Sequence, residues 1–131
     1  MRKERKHILL VDDDVIIDFL HKKILKQAGI NSTIETVYNG KLALQKLVDY
    51  NNSFNESDSV LVLLDLNMPV LDGWGFLKEF EQLKTNLNYD VDIFILSSST
   101  NSNDISRSKS NPFVRGYLKK PLSLDAVTTN F

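Results

Sequence analysis

The sequence has no cysteine among its 131 residues, which excludes disulfides, thiolate metal sites and cysteine nucleophiles. It also lacks any apolar run near the roughly 20 residues that a membrane-spanning helix needs. Neither sign of charge dominates: the formal net charge is −1, and that balance points neither to nucleic acid nor to an anionic membrane surface as a partner. The basic start Met1-Arg2-Lys3-Glu4-Arg5-Lys6 is followed by an apolar run too short for a signal peptide. It reads as a solvated lead-in to a strand. What remains is the composition of an ordinary globular protein, 42% hydrophobic and 25% charged. A chain of this length is expected to form one domain over residues 1–131, with a core large enough to fold unaided, in a cytoplasmic setting.

The densest apolar stretch is Val60-Leu61-Val62-Leu63-Leu64, which stops on Asp65 and is followed by Met68-Pro69. Such a run between turn signals reads as a strand buried on both faces. His7 to Val11 is a similar run, closed by Asp12, Asp13 and Asp14. Val15 to Ala28 follows as a helix, with its apolar face at residues 15, 16, 19, 20 and 24, Asp14 as N-cap and Gly29 as the stop. Ile34 to Val37 reads as a short strand with an exposed Glu35. Asn39-Gly40 turns the chain into a second helix from Lys41 to Tyr50, marked by Leu42, Leu44, Leu47 and Val48. Asn51 to Ser59 reads as a surface loop.

Asp72-Gly73 caps a third helix running to about Lys84, with Phe76, Leu77, Phe80 and Leu83 inward. Val91 to Leu96 is a fourth strand, ending in Ser97-Ser98-Ser99-Thr100. The helix around Asp104 to Ser110 has little besides Ile105 to bury, so it is expected to be marginal and mobile. Val114 to Leu118 is a fifth strand, ending at Lys119-Lys120-Pro121. A last helix starts near Ser123, with Leu124, Val127 and Phe131 on one face. Strand and helix alternate five times without a hairpin signal, which predicts an α/β fold: a doubly wound parallel sheet with helices on both faces.

In such a sheet the residues just past the strands share one crevice. Here they are Asp12 and Asp13, Asp65, Ser97 and Lys120. Converging carboxylates repel and raise one another's pKa, which a divalent cation relieves. Hard oxygen donors suit Mg²⁺, which keeps several of its waters. A metal, an ammonium, a hydroxyl and a spare carboxylate together suit a phosphoryl group. An aspartate can attack phosphorus to form an aspartyl phosphate, in a transfer governed by positioning and charge.

The chain resembles the receiver domain of two-component response regulators, of the single-domain type similar to the chemotaxis response regulator. The likeness covers nearly the whole chain. It rests on Leu9-Leu10-Val11-Asp12-Asp13, on Leu64-Asp65-Leu66-Asn67-Met68-Pro69-Val70-Leu71-Asp72-Gly73, on Ser97 and on Gly116-Tyr117-Leu118-Lys119-Lys120-Pro121. The joint match, in order and on the right strands, makes it specific. The resemblance implies a flavodoxin-like five-stranded sheet in the order 2-1-3-4-5. It implies that Asp65 accepts a phosphoryl group from the phosphohistidine of a histidine kinase or histidine phosphotransfer domain. Mg²⁺ would be bound by Asp13 directly, by Asp12 mostly through water, by Asp65 and by the Asn67 backbone carbonyl. Lys120 would pair with a phosphoryl oxygen, ahead of a cis-proline at Pro121. Ser97 would move toward the phosphate and Tyr117 swing inward, so that the fourth helix, fifth strand and fifth helix report the change to a downstream protein target. The final helix is short for this family. That leaves the dimerisation surface open between a monomer and a weak homodimer, with no output domain expected.

Plainer roles stand beside these. Asp14 fits a helix cap, Tyr117 fits a half-buried strand aromatic, and Lys119 points away from its neighbour into solvent. Ser99 neither blocks nor assists water. His7 and His21 have no acidic or serine partner at useful spacing and read as surface or strand-edge residues. Trp74 packs near the start of the third helix. Three rival functions compare poorly. A pseudo-receiver scaffold is disfavoured because the site is complete. A haloacid-dehalogenase-like phosphatase would need a carboxylate where Asn67 stands. A flavin or nucleotide binder would need a glycine-rich loop after the first strand.

Overall fold

Side chains alternate across a strand, so a strand covered by helices on both faces must be apolar at every position. Two strands meet that demand over their last four or five residues, Ile8 to Val11 and Val60 to Leu64. In β1 (Arg5–Val11) and β3 (Ser59–Leu64), Leu9, Val11, Val60, Val62 and Leu64 enter one core, while Ile8, Leu10, Leu61 and Leu63 enter the other. The computed structural model, which describes the backbone from Arg5 and side chains from His7 onward, builds the rest of the sheet around this pair. β2 (Thr33–Val37) lies beside β1, and β4 (Asp90–Ser97) and β5 (Val114–Lys119) extend the sheet past β3. All pairings are parallel and the order is β2-β1-β3-β4-β5.

Parallel strands need crossovers, and helices supply them. On one face α2 (Gly40–Asp49) and α3 (Gly73–Leu83) contribute Ala43, Leu47, Phe76, Leu77 and Phe80. On the other, α1 (Val15–Gln27) contributes Leu25 and α5 (Leu124–Asn130) contributes Val127. α4 (Ser102–Ser110) lies against β5 and buries only Ser108. Side-chain caps start each of these helices. Asp14 accepts from the amides of Ile16 and Ile17, Asn39 from Leu42, Asp72 from Gly75, Asn101 from Asn103 and Ser123 from Ala126. α1 stops at Gly29, whose φ of +81° suits glycine; its amide and that of Ile30 donate to Lys26 and Leu25. No helix among the described residues is long and apolar enough to cross a membrane.

Several local expectations are corrected. The inner face of α1 is not the stripe through residues 15, 16, 19, 20 and 24. Val15, Ile16, Phe19 and Leu20 are exposed, and Asp18, His21 and Leu25 are buried instead. The face that meets the sheet also holds the partly buried Ile24 and Ala28, and the two polar residues on it are tolerated because each has a partner. α2 turns Gly40, Ala43 and Leu47 inward, leaving Leu42 and Val48 exposed. Leu124 is exposed too, so the inner face of the last helix is carried by Val127, with Ala126 and Phe131 packed beside it. The stretch 51–59 is more than a surface loop. Phe54 is buried in it, stacked on Tyr50 and edge-on to Tyr89.

Glu35 is only about a third exposed (32%), because it accepts from Lys46 Nζ (2.9 Å), Tyr50 Oη (2.9 Å) and the imidazole of His7 (2.7 Å). His7 therefore does have an acidic partner. It lies inside the sheet against the rings of Tyr50 and Phe54. Of the basic start, Met1 to Glu4 lies outside the described residues.

Candidate functional site

The crevice is assembled by backbone hydrogen bonds that run one step past the strands. The Asp12 amide donates to the Val37 carbonyl (3.0 Å), the Asp65 amide to Val11 (2.9 Å) and the Lys120 amide to Ser97 (2.8 Å). Each site residue thus hangs from a ladder that the buried core holds still. Gly73 lets the first turn of α3 press against the same place. A Cβ there would lie 2.6 Å from the Asp65 carbonyl oxygen and 2.9 Å from Leu66 Cα. The link between β3 and α3 makes a tight three-residue turn, with the Leu71 amide donating to Pro69 (2.8 Å) and Val70 at φ 70°.

Asp12, Asp13 and Asp65 come together so that one carboxylate oxygen of each lies within 4.8 Å of the others. Asp12 and Asp65 are 5% and 6% exposed, while Asp13 is exposed at the rim. Lys120 Nζ reaches 2.5 Å from Asp12 Oδ2 and 3.3 Å from Asp65 Oδ2. The other Asp12 oxygen accepts from the Asp14 amide at 2.9 Å. Burial pushes the Asp65 carboxyl above the usual aspartate range. Lys120 and a hydrogen bond from the Asn67 backbone counter this, and the Asp12 charge adds to it. Burial works against the Lys120 ammonium, but Asp12 and Asp65 outweigh it and raise its pKa above the ordinary lysine value.

The donor set fits a divalent cation. Three carboxylates converge, the two buried ones are paired with one ammonium, and all three are hard oxygen ligands. Both Asp12 oxygens already have partners, whereas Asp13 opens to solvent. Asn67 is exposed at the mouth, two residues beyond Asp65.

Ser97 closes the crevice from β4 and is fully buried. Its Oγ accepts from the Ser99 amide (3.1 Å), which leaves the hydroxyl proton free to point elsewhere. Ser99 in turn donates to Asp104 on α4 (2.8 Å), and the Tyr117 hydroxyl donates to the Ser99 carbonyl (2.7 Å). A continuous polar chain therefore links Ser97 to α4 and β5. Tyr117 is half-buried and Lys119 is exposed. The Lys120–Pro121 peptide bond is cis. Trp74 is partly buried against the core at the start of α3, with the Arg107 guanidinium of α4 lying 4.3 Å from its ring centre.

One residue beside this site overturns its sequence reading: His21, expected at the surface or a strand edge, is buried within α1's inner face. His21 is 1% exposed, and its Nε2 accepts from the Leu122 amide at 3.1 Å. The spacing Asp18, His21, Leu25, Ala28 is a helical stripe in its own right. It was hidden because two of its four members are polar.

A five-stranded doubly wound sheet with acids, a hydroxyl and a lysine at its carboxyl edge defines a receiver-type domain. The chain belongs to the response regulator receiver domain family, which its residues 8–131 match. It is 34% identical over 121 residues to the probable methanogenesis regulatory protein FilR2 of Methanothrix harundinacea, covering 90% of this chain and 74% of that protein. A two-component response regulator from Cytophaga hutchinsonii superposes with a TM-score of 0.80 at 28% identity, over 98% of this chain and 94% of the other. The Mn²⁺-bound form of response regulator Rcp1 superposes with a TM-score of 0.69 at 32% identity, over 95% and 88%. Against three further curated relatives the chain spans 29% of their length or less.

Proposed function

We propose that this receiver domain is a phosphoacceptor, and that Asp65 takes a phosphoryl group from the phosphohistidine of a histidine kinase or histidine phosphotransfer domain. The observation that carries this is the Lys120 ammonium set between the buried carboxylates of Asp12 and Asp65, beside the exposed Asp13. An Asp65 carboxylate oxygen attacks phosphorus; the new P–O bond forms as the P–N bond to imidazole breaks, and the leaving imidazole takes up a proton. Lys120 holds positive charge where the transferred oxygens arrive, and the Ser97 hydroxyl can donate to one of them. Mg²⁺, held by Asp13, Asp65, the Asn67 carbonyl and, through water, Asp12, would supply charge neutralisation for the same group.

A protein as phosphodonor is supported by the exposed apolar residues of α1 that follow directly on Asp13 and Asp14. Ile16 is 76% exposed and Phe19 67%, more apolar surface than a solvated helix needs. Transmission is supported by the chain from Ser97 through Ser99 to Asp104 and Tyr117. If Ser97 turns to the phosphate and releases the Ser99 amide, the loop that carries the partners of Asp104 and Tyr117 gains freedom to shift, and the face of α4, β5 and α5 changes with it.

Incubation with Mg²⁺ and a small acyl phosphate, followed by intact mass, tests the proposal. One added phosphoryl group, absent from Asp65→Asn, is the expected result. No gain under conditions where Mg²⁺ binding is demonstrated contradicts it, and is the outcome that a purely scaffolding pseudo-receiver would give.

A further inference from the structure

α1 presents two polar side chains to the interior. Asp18 accepts from the Thr36 hydroxyl at 2.6 Å and pairs with Lys22 at 3.3 Å, so its charge is matched by β2 and by its own helix. One turn later, His21 has a different partner. Its Nε2 accepts the amide proton of Leu122, a hydrogen bond between residues 101 positions apart, both almost wholly buried. An accepting nitrogen carries no proton, so the ring is neutral with its hydrogen on Nδ1. Burial favours that neutral form, with Lys120 acting in the same sense and Asp12, Asp18 and Asp14 opposing it.

The bond lies at a telling place. Lys120, Pro121 and Leu122 form the turn that leaves β5. The Lys120 amide is anchored to Ser97, Pro121 has no amide hydrogen, and the Leu122 amide is anchored to His21. The turn is thus fixed at one end by β4 and at the other by α1. Between these anchors starts the side chain whose ammonium lies between Asp12 and Asp65.

We propose that His21 is a positioning residue for Lys120, its Nε2 holding the Leu122 amide so that the turn after β5 delivers the ammonium to the phosphoacceptor. The inference rests on the phosphoacceptor reading. It separates two properties of the site, because the acids hang from β1 and β3 and do not depend on this turn, whereas Lys120 does. Loss of the acceptor nitrogen therefore slows phosphoryl transfer without weakening divalent-cation binding, since a displaced ammonium competes less with the cation for Asp12 and Asp65.

The test compares His21→Leu, which keeps bulk without an acceptor, with His21→Gln, whose amide oxygen can reach the Leu122 amide. Both are measured for Mg²⁺ affinity by calorimetry and for phosphorylation by a small acyl phosphate at saturating Mg²⁺. H21L is expected to phosphorylate about tenfold or more slowly, the scale on which small misplacements act, with Mg²⁺ affinity equal to or higher than that of the parent. H21Q is expected to recover most of the rate. A wild-type rate in H21L, a rate in H21Q as low as in H21L, or a loss of Mg²⁺ affinity in step with the rate would each overturn the proposal. Should H21L fail to fold, the ¹⁵N imidazole spectrum of the unaltered protein decides: an unprotonated Nε2 supports the proposal and an Nε2–H tautomer overturns it. A wild-type protein that accepts no phosphoryl group would sink the phosphoacceptor reading, and the same spectrum would still decide whether the His21 bond exists.

Discussion

Val70 occupies a backbone conformation, φ 70°, that a β-branched side chain rarely adopts. Such residues cost on the order of 1–3 kcal/mol, and at 77% exposure Val70 recovers little of that by burial. Asparagine tolerates this region better, so Val70→Asn is expected to raise stability by about 1 kcal/mol; a fall in urea-unfolding midpoint would refute the strain assignment. Glu35 offers a second measurement. Its carboxyl is held below the ordinary value of 4.5, first by the hydrogen bond from Lys46 and further by Tyr50 and His7, against the opposing effect of burial. Because the folded-state pKa is the depressed one, this stabilisation is complete above pH 4.5 and disappears as pH falls through the lower, folded value. Glu35→Gln should therefore lower stability at neutral pH, by less than about 1 kcal/mol because water still reaches and screens the group, and the gap should close in acid. A gap that persists at low pH would mean that packing, not charge, is what the glutamate supplies. At this scale the convergence of the candidate site was legible: Asp12, Asp13, Asp65, Ser97 and Lys120 were all visible as strand-terminal residues, and they do meet at one edge of the sheet. His21 and Glu35 were not, since their partners lie far away in sequence, and a contact between α1 and residue 122 leaves no local pattern.

Among the elements, α1 and α2 show where periodicity misleads. Both helices carry more apolar residues than their inner faces can use, so the densest stripe was not the buried one. In α1 the surplus, Val15, Ile16, Phe19 and Leu20, is exposed on the helix that follows Asp13 and Asp14. If this surface receives the phosphodonor protein, Phe19→Ala together with Ile16→Ser should slow transfer from a phosphohistidine protein about tenfold or more while leaving the small acyl phosphate reaction unchanged, as removing apolar anchors does in other interfaces. An equal loss with both donors would place the defect in the site instead. Gly73 marks the other sensitive contact. Gly73→Ala drives a methyl group into the backbone at Asp65, so it should impair phosphorylation even where the helix itself gains propensity. A fully active, more stable G73A would show that the loop can retreat without moving Asp65.

For the whole molecule, the two cores follow from two strands whose apolar runs, Ile8 to Val11 and Val60 to Leu64, had to be covered on each face, while the strand order was implied by the family resemblance. That is why the architecture was readable while the helix rotations were not: strand burial is written in consecutive residues, but a helix can satisfy its sheet with three or four contacts from either of two stripes. The closed core leaves the carboxyl edge as the place where chemistry can be exposed without opening the fold. There the polar chain Ser97, Ser99, Asp104 and Tyr117 provides a route outward to α4 and β5. Chelation of divalent cations should abolish phosphorylation without unfolding the domain, since the acids sit at strand ends that the core already fixes; loss of circular dichroism on chelation would contradict this. The most direct measurement is to locate the group. The protein is phosphorylated with a small acyl phosphate and Mg²⁺, the acyl phosphate is reduced with borohydride, and the peptides are mapped by mass. Conversion of Asp65, and of no other acid, to homoserine is the predicted result. An unmodified Asp65, or a phosphoryl group on another residue, would contradict the assignment of Asp65 as the phosphoacceptor.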